Sequence, residues 1–187
     1  MSRTVNSLSV SSVVNTKAFR DAFEEMPLSR QVSNSLYGQA GRILRAANGT
    51  EFEYMVAVDA RTGALVADNL GRLPGRKRTG FSPSEMGKIK KCRAGVVTVH
   101  NHPGGFPPSY RDLFTASSYS FVKGSVVVGH DGSVWFIAVE SEVVVDMLAE
   151  RYNSLKETYA DFAEIKAAEW LIEQNKLHRL FEFRRLR

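Results

Sequence analysis

The chain has little cysteine, little histidine and no long apolar run, and each scarcity excludes something. A single cysteine, Cys92, leaves no internal disulfide framework and no cysteine-rich zinc module, and it fits a reducing compartment. No apolar run approaches the ~18 residues of a membrane-crossing helix, so no membrane association is expected. The opening residues MSRTVNSLSVSSVVNTK interrupt any apolar stretch with Ser and Asn, so a secretory signal is not expected and the chain reads as cytoplasmic. No internal repeat or low-complexity block stands out. What is present is ordinary for a globular protein: 187 residues, 43% hydrophobic and 24% charged, a composition that can bury a core without staples and that argues against wholesale disorder.

The formal net charge of +5 comes from 25 basic and 20 acidic side chains, and the bases are unevenly spread. They concentrate in RLPGRKR (72–78), in KIKKCR (88–93) and in the tail from Lys176 to Arg187. Runs of this kind are usually solvated surface. The sharper reading is contact with an acidic partner, either nucleic-acid phosphates or an acidic protein face, and charge alone does not separate the two.

Residues 1–15 read as a polar, Ser-rich lead-in. Thr16 is a fitting N-cap for a helix carrying Phe19, Ala22, Phe23 and Met26 on one face, which Pro27 breaks. A second helix is predicted over roughly 29–47, stopped by Asn48-Gly49. Residues 1–49 thus form an N-terminal helical extension. EFEYMVAVD (51–59) and ALVAD read as strands joined by a turn, and the Gly-, Pro- and Arg-rich stretch 68–84 reads as an exposed loop. SPSEMGKIKK carries a capping-box signature, with Ser82 as cap, Pro83 at the first helical position and Glu85 completing the box. AGVVTVH (94–100) reads as a buried strand, 109–121 as a helix, and SVVVG and SVWFIAV as a hairpin around His130-Asp131-Gly132. These elements make a core over 50–140. A long helix from about Glu142 to Asn175, with Trp170, Leu171 and the Phe162/Ile165 pair on its apolar face, and a basic tail complete the chain over 141–187. The mixture predicts one compact α+β domain in which helices cover a single sheet.

The chemistry concentrates in VTVHNHPGGFPPSYRDL (97–113). His100 and His102 lie two apart at a strand end, and the period of two puts both imidazoles on one face, within reach of one metal ion. Pro103 cannot continue a ladder, and Gly104-Gly105 lets the chain fold back. Asp112 lies one turn into the following helix, facing the loop. Two imidazoles and one carboxylate are a three-ligand set that leaves a fourth zinc position open for water, as catalytic sites do and structural sites do not. A packed core has no reason to place two imidazoles after AGVVTV without partners. Other residues compete less well. His130 fits an exposed turn or a supporting role behind the site, and His178 fits a surface. Cys92, among lysines, has no histidine partner beside it. Trp135 and Phe136 fit a core, and Tyr110 and Phe106 fit either a substrate groove or loop packing.

His100-x-His102-Pro103 followed by Ser109-x-x-Asp112 resembles the JAMM motif of the JAB/MPN metallopeptidase family. The wording HNHP, with PPS before the helix, looks most like its RadC-type branch and the JAB domains of phage and mobile-element proteins. The resemblance covers roughly residues 50–140 and is specific at the motif. It implies a deaminase-like mixed sheet flanked by helices and a zinc-dependent hydrolase of peptide or isopeptide bonds acting on a peptide or protein substrate. Carried over, it implies that His100, His102 and Asp112 hold Zn²⁺, that Ser109 hydrogen-bonds the developing oxyanion, and that an upstream glutamate serves as general base. Glu53, directly before the apolar run YMVAV as the family's glutamate is, is favoured for that role, with Glu51 as the alternative. The interval from His102 to Ser109, six residues (103–108), is one shorter than the family's usual pattern. A second reading is a non-catalytic JAB-like module of phage or mobile-element origin that binds nucleic acid or an assembly partner through its basic surface.

Overall fold

The structure is a computed structural model describing residues 10–72, 79–140, 145–179 and 181–187. Most of the basic stretch 72–78 and most of the lead-in lie outside the described residues. The fold grows from local signals that mostly act as their residue types require. Helix α1 spans Val10–Val13 and leads into α2, Lys17–Glu24, whose N-cap Thr16 accepts a hydrogen bond from the Phe19 amide. Helix α3, Arg30–Ala47, matches the predicted span and is capped by Ser29. Strands β1 (Met55–Asp59) and β2 (Leu65–Asp68) follow. Helix α4, Pro83–Lys91, carries the full capping box of Ser82 and Glu85. Next come β3 (Val96–His102), α5 (Tyr110–Ser117), β4 (Val122–Gly129) and β5 (Val134–Val139).

Three expectations at element boundaries are corrected. The strand predicted to start at Glu51 starts at Met55, which leaves Glu51 and Glu53 upstream of the ladder. The strand predicted to end at His100 runs on to His102, and the helix predicted over 109–121 stops at Ser117.

The C-terminal region departs furthest from the prediction of one long helix and a basic tail. Helix α6 (Val145–Tyr159) ends at a left-handed step at Ala160 (φ 46°), a 3-10 turn covers Ala160–Phe162, and α7 (Ala163–His178) folds back against α6. The break reorients the second segment, so Leu171 is buried while Phe162 and Ile165 are 64% and 56% exposed rather than core-facing. The tail is a strand, β6 (Phe181–Arg185), paired antiparallel along β5. It forms because β5 would otherwise present a free edge of N–H and C=O groups. Phe181 closes into the core and Arg185 lies over the Trp135 ring at 5.4 Å.

The six strands form one mixed sheet in the order β2-β1-β3-β4-β5-β6, with β3 and β4 parallel and every other neighbouring pair antiparallel. The class is α+β, as expected. One face packs on α2 and α3. Phe19, Phe23, Leu36, Ile43 and Leu44 meet Val56, Val58, Val97, Val99, Val126 and Val128 there, all of them buried. Each such Leu or Phe stabilises the fold by about 1.5–3 kcal/mol relative to exposure. The other face packs on α4, α5 and the α6–α7 pair through Ile89, Leu113, Leu155 and Leu171. Among the described residues, no helix is long and apolar enough to cross a membrane.

Candidate metal centre

Successive side chains of β3 alternate between the two layers. Val97, Val99 and Asn101 point one way, and Thr98, His100 and His102 the other, into a cleft of about 1050 Å³ that Glu53, Phe106 and Asp112 also line. Pairing fixes the depth of the two histidines: His100 lies opposite Met55 of β1 and Val127 of β4, and His102 opposite Gly129. His100 is accordingly only 1% exposed.

The chain then doubles back. The Gly105 N–H donates to the His102 carbonyl (3.1 Å), and so does the His130 N–H (3.2 Å), tying the turn to the β4–β5 hairpin. Gly105 takes φ +66°, and a Cβ there would sit 2.5 Å from the Asp131 side chain, so only glycine fits this turn. Ser109 then caps α5. Its hydroxyl accepts from the Asp112 N–H (3.3 Å) and donates to Asp112 Oδ2 (2.6 Å), while its own N–H donates to the same oxygen (2.6 Å). The capping box holds the Asp112 carboxylate pointing back at β3, so the shortened loop does not keep it from the rings.

The three side chains converge. Asp112 Oδ1 lies 3.1 Å from His100 Nε2 and Oδ2 lies 3.3 Å from His102 Nε2, while the two Nε2 atoms are 3.2 Å apart. His102 Nδ1 donates to the Phe106 carbonyl (3.0 Å), which leaves its Nε2 lone pair facing the other two groups. A tetrahedral zinc ion with bonds of about 2.0–2.1 Å places neighbouring ligand atoms about 3.3 Å apart. The observed separations fit that donor set, and among the described residues these three are the group of His, Cys, Asp and Glu side chains that could hold a metal ion.

Comparisons with family models, curated proteins and solved structures gave no match to this chain. The site therefore has to be read from its own chemistry.

Its electrostatics are those of a compact charge cluster. Burial alone would raise the Asp112 pKa, but the two adjacent imidazoles outweigh it and hold the carboxyl well below the usual range. Burial alone would lower the His102 pKa, but the Asp112 carboxylate, the Phe106 carbonyl and the Glu53 charge together raise it. Glu53 is raised above the ordinary glutamate value, chiefly by burial and further by Asp112, with His100 and His102 pulling the other way. Glu53 is thus within electrostatic reach of all three candidate ligands. Glu51 lines the same cleft.

The remaining candidates fall elsewhere. Cys92 donates to Asp59 Oδ2 (3.1 Å), and burial with that carboxylate raises its pKa, the reverse of what an activated thiol needs. His178 ends α7 and is exposed. His130 is buried, not exposed on its turn, and contacts Asn101. Phe106 is 71% exposed at the cleft rim, Phe136 is core, and Tyr110 packs under α6 against Tyr152. Sequence reasoning missed Asn101. The available signal was a polar residue on the otherwise all-valine side of β3.

Proposed function

We propose that this chain is a zinc-dependent hydrolase of peptide or isopeptide bonds with a JAB/MPN-like core. The observation that carries the reading is the convergence of His100, His102 and Asp112 at zinc-ligand separations, with a carboxylate, Glu53, lining the same cleft within electrostatic reach. The resemblance of these residues and Ser109 to the JAMM pattern directs the choice of bond. His100, His102 and Asp112 would hold the ion, and the open fourth position suits a catalytic site. Bound there, zinc supplies Lewis acidity and a water acidified to a pKa near 7.

The rest of the chemistry belongs to the chain. Glu53, half-buried and with a raised pKa, accepts a proton from the attacking water and returns it to the leaving amine. Ser109 Oγ, which rests on Asp112, turns its proton toward the charge that develops on the carbonyl oxygen. The cleft exposes this face to an extended peptide, with Phe106 at its rim.

The test is metal content and turnover together. Glu53→Gln is expected to keep stoichiometric zinc and lose turnover, and His100→Ala to lose both. Full activity in Glu53→Gln removes that residue from the mechanism, and zinc-free wild-type protein after metal reconstitution removes the hydrolase reading.

A second reading is a non-catalytic JAB-like module that docks nucleic acid or an acidic assembly partner. It is supported by exposed Lys88, Lys90, Lys91 and Arg93, just before β3 and therefore at the opposite end of that strand from the histidines. Salt-sensitive DNA binding by a protein that takes up no zinc would favour it.

A further inference from the structure

Asn101 lies between the two histidines in sequence but on the other side of β3, fully buried. Both ends of its amide are engaged. Oδ1 accepts from the Tyr54 N–H (2.8 Å), and Nδ2 donates to the Phe52 carbonyl (2.9 Å) and to His130 Nε2 (2.9 Å). The first two bonds bracket Glu53. They reproduce, with one side chain, the pair of bonds a neighbouring strand would make to residues on either side of it. The regular β1–β3 ladder begins only at Met55 opposite His100, so the backbone on either side of Glu53 lies beyond it. At Met55 the side chain of Asn69 takes over, accepting the Met55 N–H (2.7 Å).

The two backbone partners fix which way the amide faces. The Phe52 carbonyl can only accept and takes Nδ2, and the Tyr54 N–H can only donate and takes Oδ1, so His130 Nε2, on the Nδ2 side, is the acceptor of the remaining N–H. His130 in turn is anchored by its own N–H on the His102 carbonyl (3.2 Å). The ligand strand, the hairpin turn and the glutamate's backbone are therefore tied through one amide.

Resting on the reading of Glu53 as general base, we propose that Asn101 is a positioning residue for Glu53, with His130 bracing its amide. Asn101 touches neither metal nor substrate. It holds the backbone so that the Glu53 carboxylate reaches the point on which His100, His102 and Asp112 converge. Misplacing a reacting group by about 1 Å costs on the order of a hundredfold in rate, whereas the ligands themselves lie on the opposite side of the strand and are unaffected.

The experiment compares wild-type protein with Asn101→Ala, Asn101→Asp, His130→Ala and His130→Gln, each reconstituted with zinc. Three quantities are measured: zinc stoichiometry, amide hydrogen exchange at Tyr54 against Val56–Val58, and hydrolysis of p-nitrophenyl acetate as a small activated probe. Asn101→Ala is expected to keep one zinc, to speed exchange at Tyr54 at least tenfold with Val56–Val58 unchanged, and to lower kcat about a hundredfold at constant KM. Asn101→Asp, isosteric but without the donor, keeps an acceptor for the Tyr54 N–H and loses the bonds to Phe52 and His130, so it should keep one zinc and lower kcat similarly, and it serves if the alanine variant does not fold. His130→Ala should fall between, and His130→Gln, which restores an acceptor, should return toward wild type. Wild-type exchange at Tyr54 in Asn101→Ala overturns the proposal, as does wild-type kcat in Asn101→Asp, and so does loss of zinc in step with activity, since that makes Asn101 a prop of the ligands instead. If wild-type protein leaves the ester intact, the hydrolase reading fails, while exchange at Tyr54 still decides whether Asn101 holds the segment.

Discussion

On the side of β3 that meets α2 and α3, Val97 and Val99 are sealed under Phe19, Leu36 and Ile43, and that layer is apolar almost throughout. On the opposite side, Thr98 bonds Ser125 (2.9 Å) and is followed by His100 and His102, because α4 and α5 leave a cleft between them. One strand thus serves two environments by its period of two alone. Complete cover demands hydrocarbon, whereas partial cover lets polar groups keep water or one another as partners. Stability and chemistry are consequently written on alternate residues of the same seven-residue strand.

That division can be broken most severely from the sealed side. Leu36→Ala, at a fully buried position, is expected to cost about 2–5 kcal/mol of stability by denaturant titration while zinc stoichiometry of the folded fraction stays unchanged. Loss of zinc at full folding would show that the two sides are not independent. From the cleft side, Ser109→Ala removes a cap and a prop of Asp112 together. It is expected to cost about 1 kcal/mol of stability and roughly ten- to a hundredfold in zinc affinity measured by competition with a chelator.

The smallest effect is on pH dependence, and its sign sharpens the contrast. Without metal, the raised pKa of His102 contributes stability that is complete below about 6.5 and is lost as pH rises through the raised value. Glu53, also raised, acts in the same direction, and Asp112 contributes above about 3.9, losing its effect as pH falls through its lowered value. Metal-free protein should therefore melt at a lower temperature at pH 8 than at pH 5.5. With zinc, which needs the imidazoles neutral, the difference between metal-loaded and metal-free melting temperatures should widen as pH rises. A metal-free protein indifferent to pH across that range would mean the cluster is not coupled to folding.

Much of this was legible in the residues. Caps at Thr16 and Ser82 and the His130-Asp131-Gly132 turn act locally, and local chemistry is what a sequence displays. The three candidate ligands were legible for the same reason, since they occupy one strand end and the next helix. The start of β1 was not, because Phe52 and Tyr54 are held by an asparagine some fifty residues away rather than by a ladder. The tail was misread because FEFRR offers only two apolar residues in alternation, and its strand exists through the vacant edge of β5. The break at Ala160 carries neither glycine nor proline and is imposed by the packing of α7 on α6 and α5.

The parallel pair β3 and β4 has α5 as its connection, so all three candidate ligands fall inside one short stretch, residues 100–112. Closing so small a loop costs little chain entropy, whereas recruiting Glu53 requires β1 to pair with β3 across a longer interval of chain. Capture of the ion and competence to work with it are thereby separable in time: on the proposed reading, a nascent chain grips its metal well before it can cut anything.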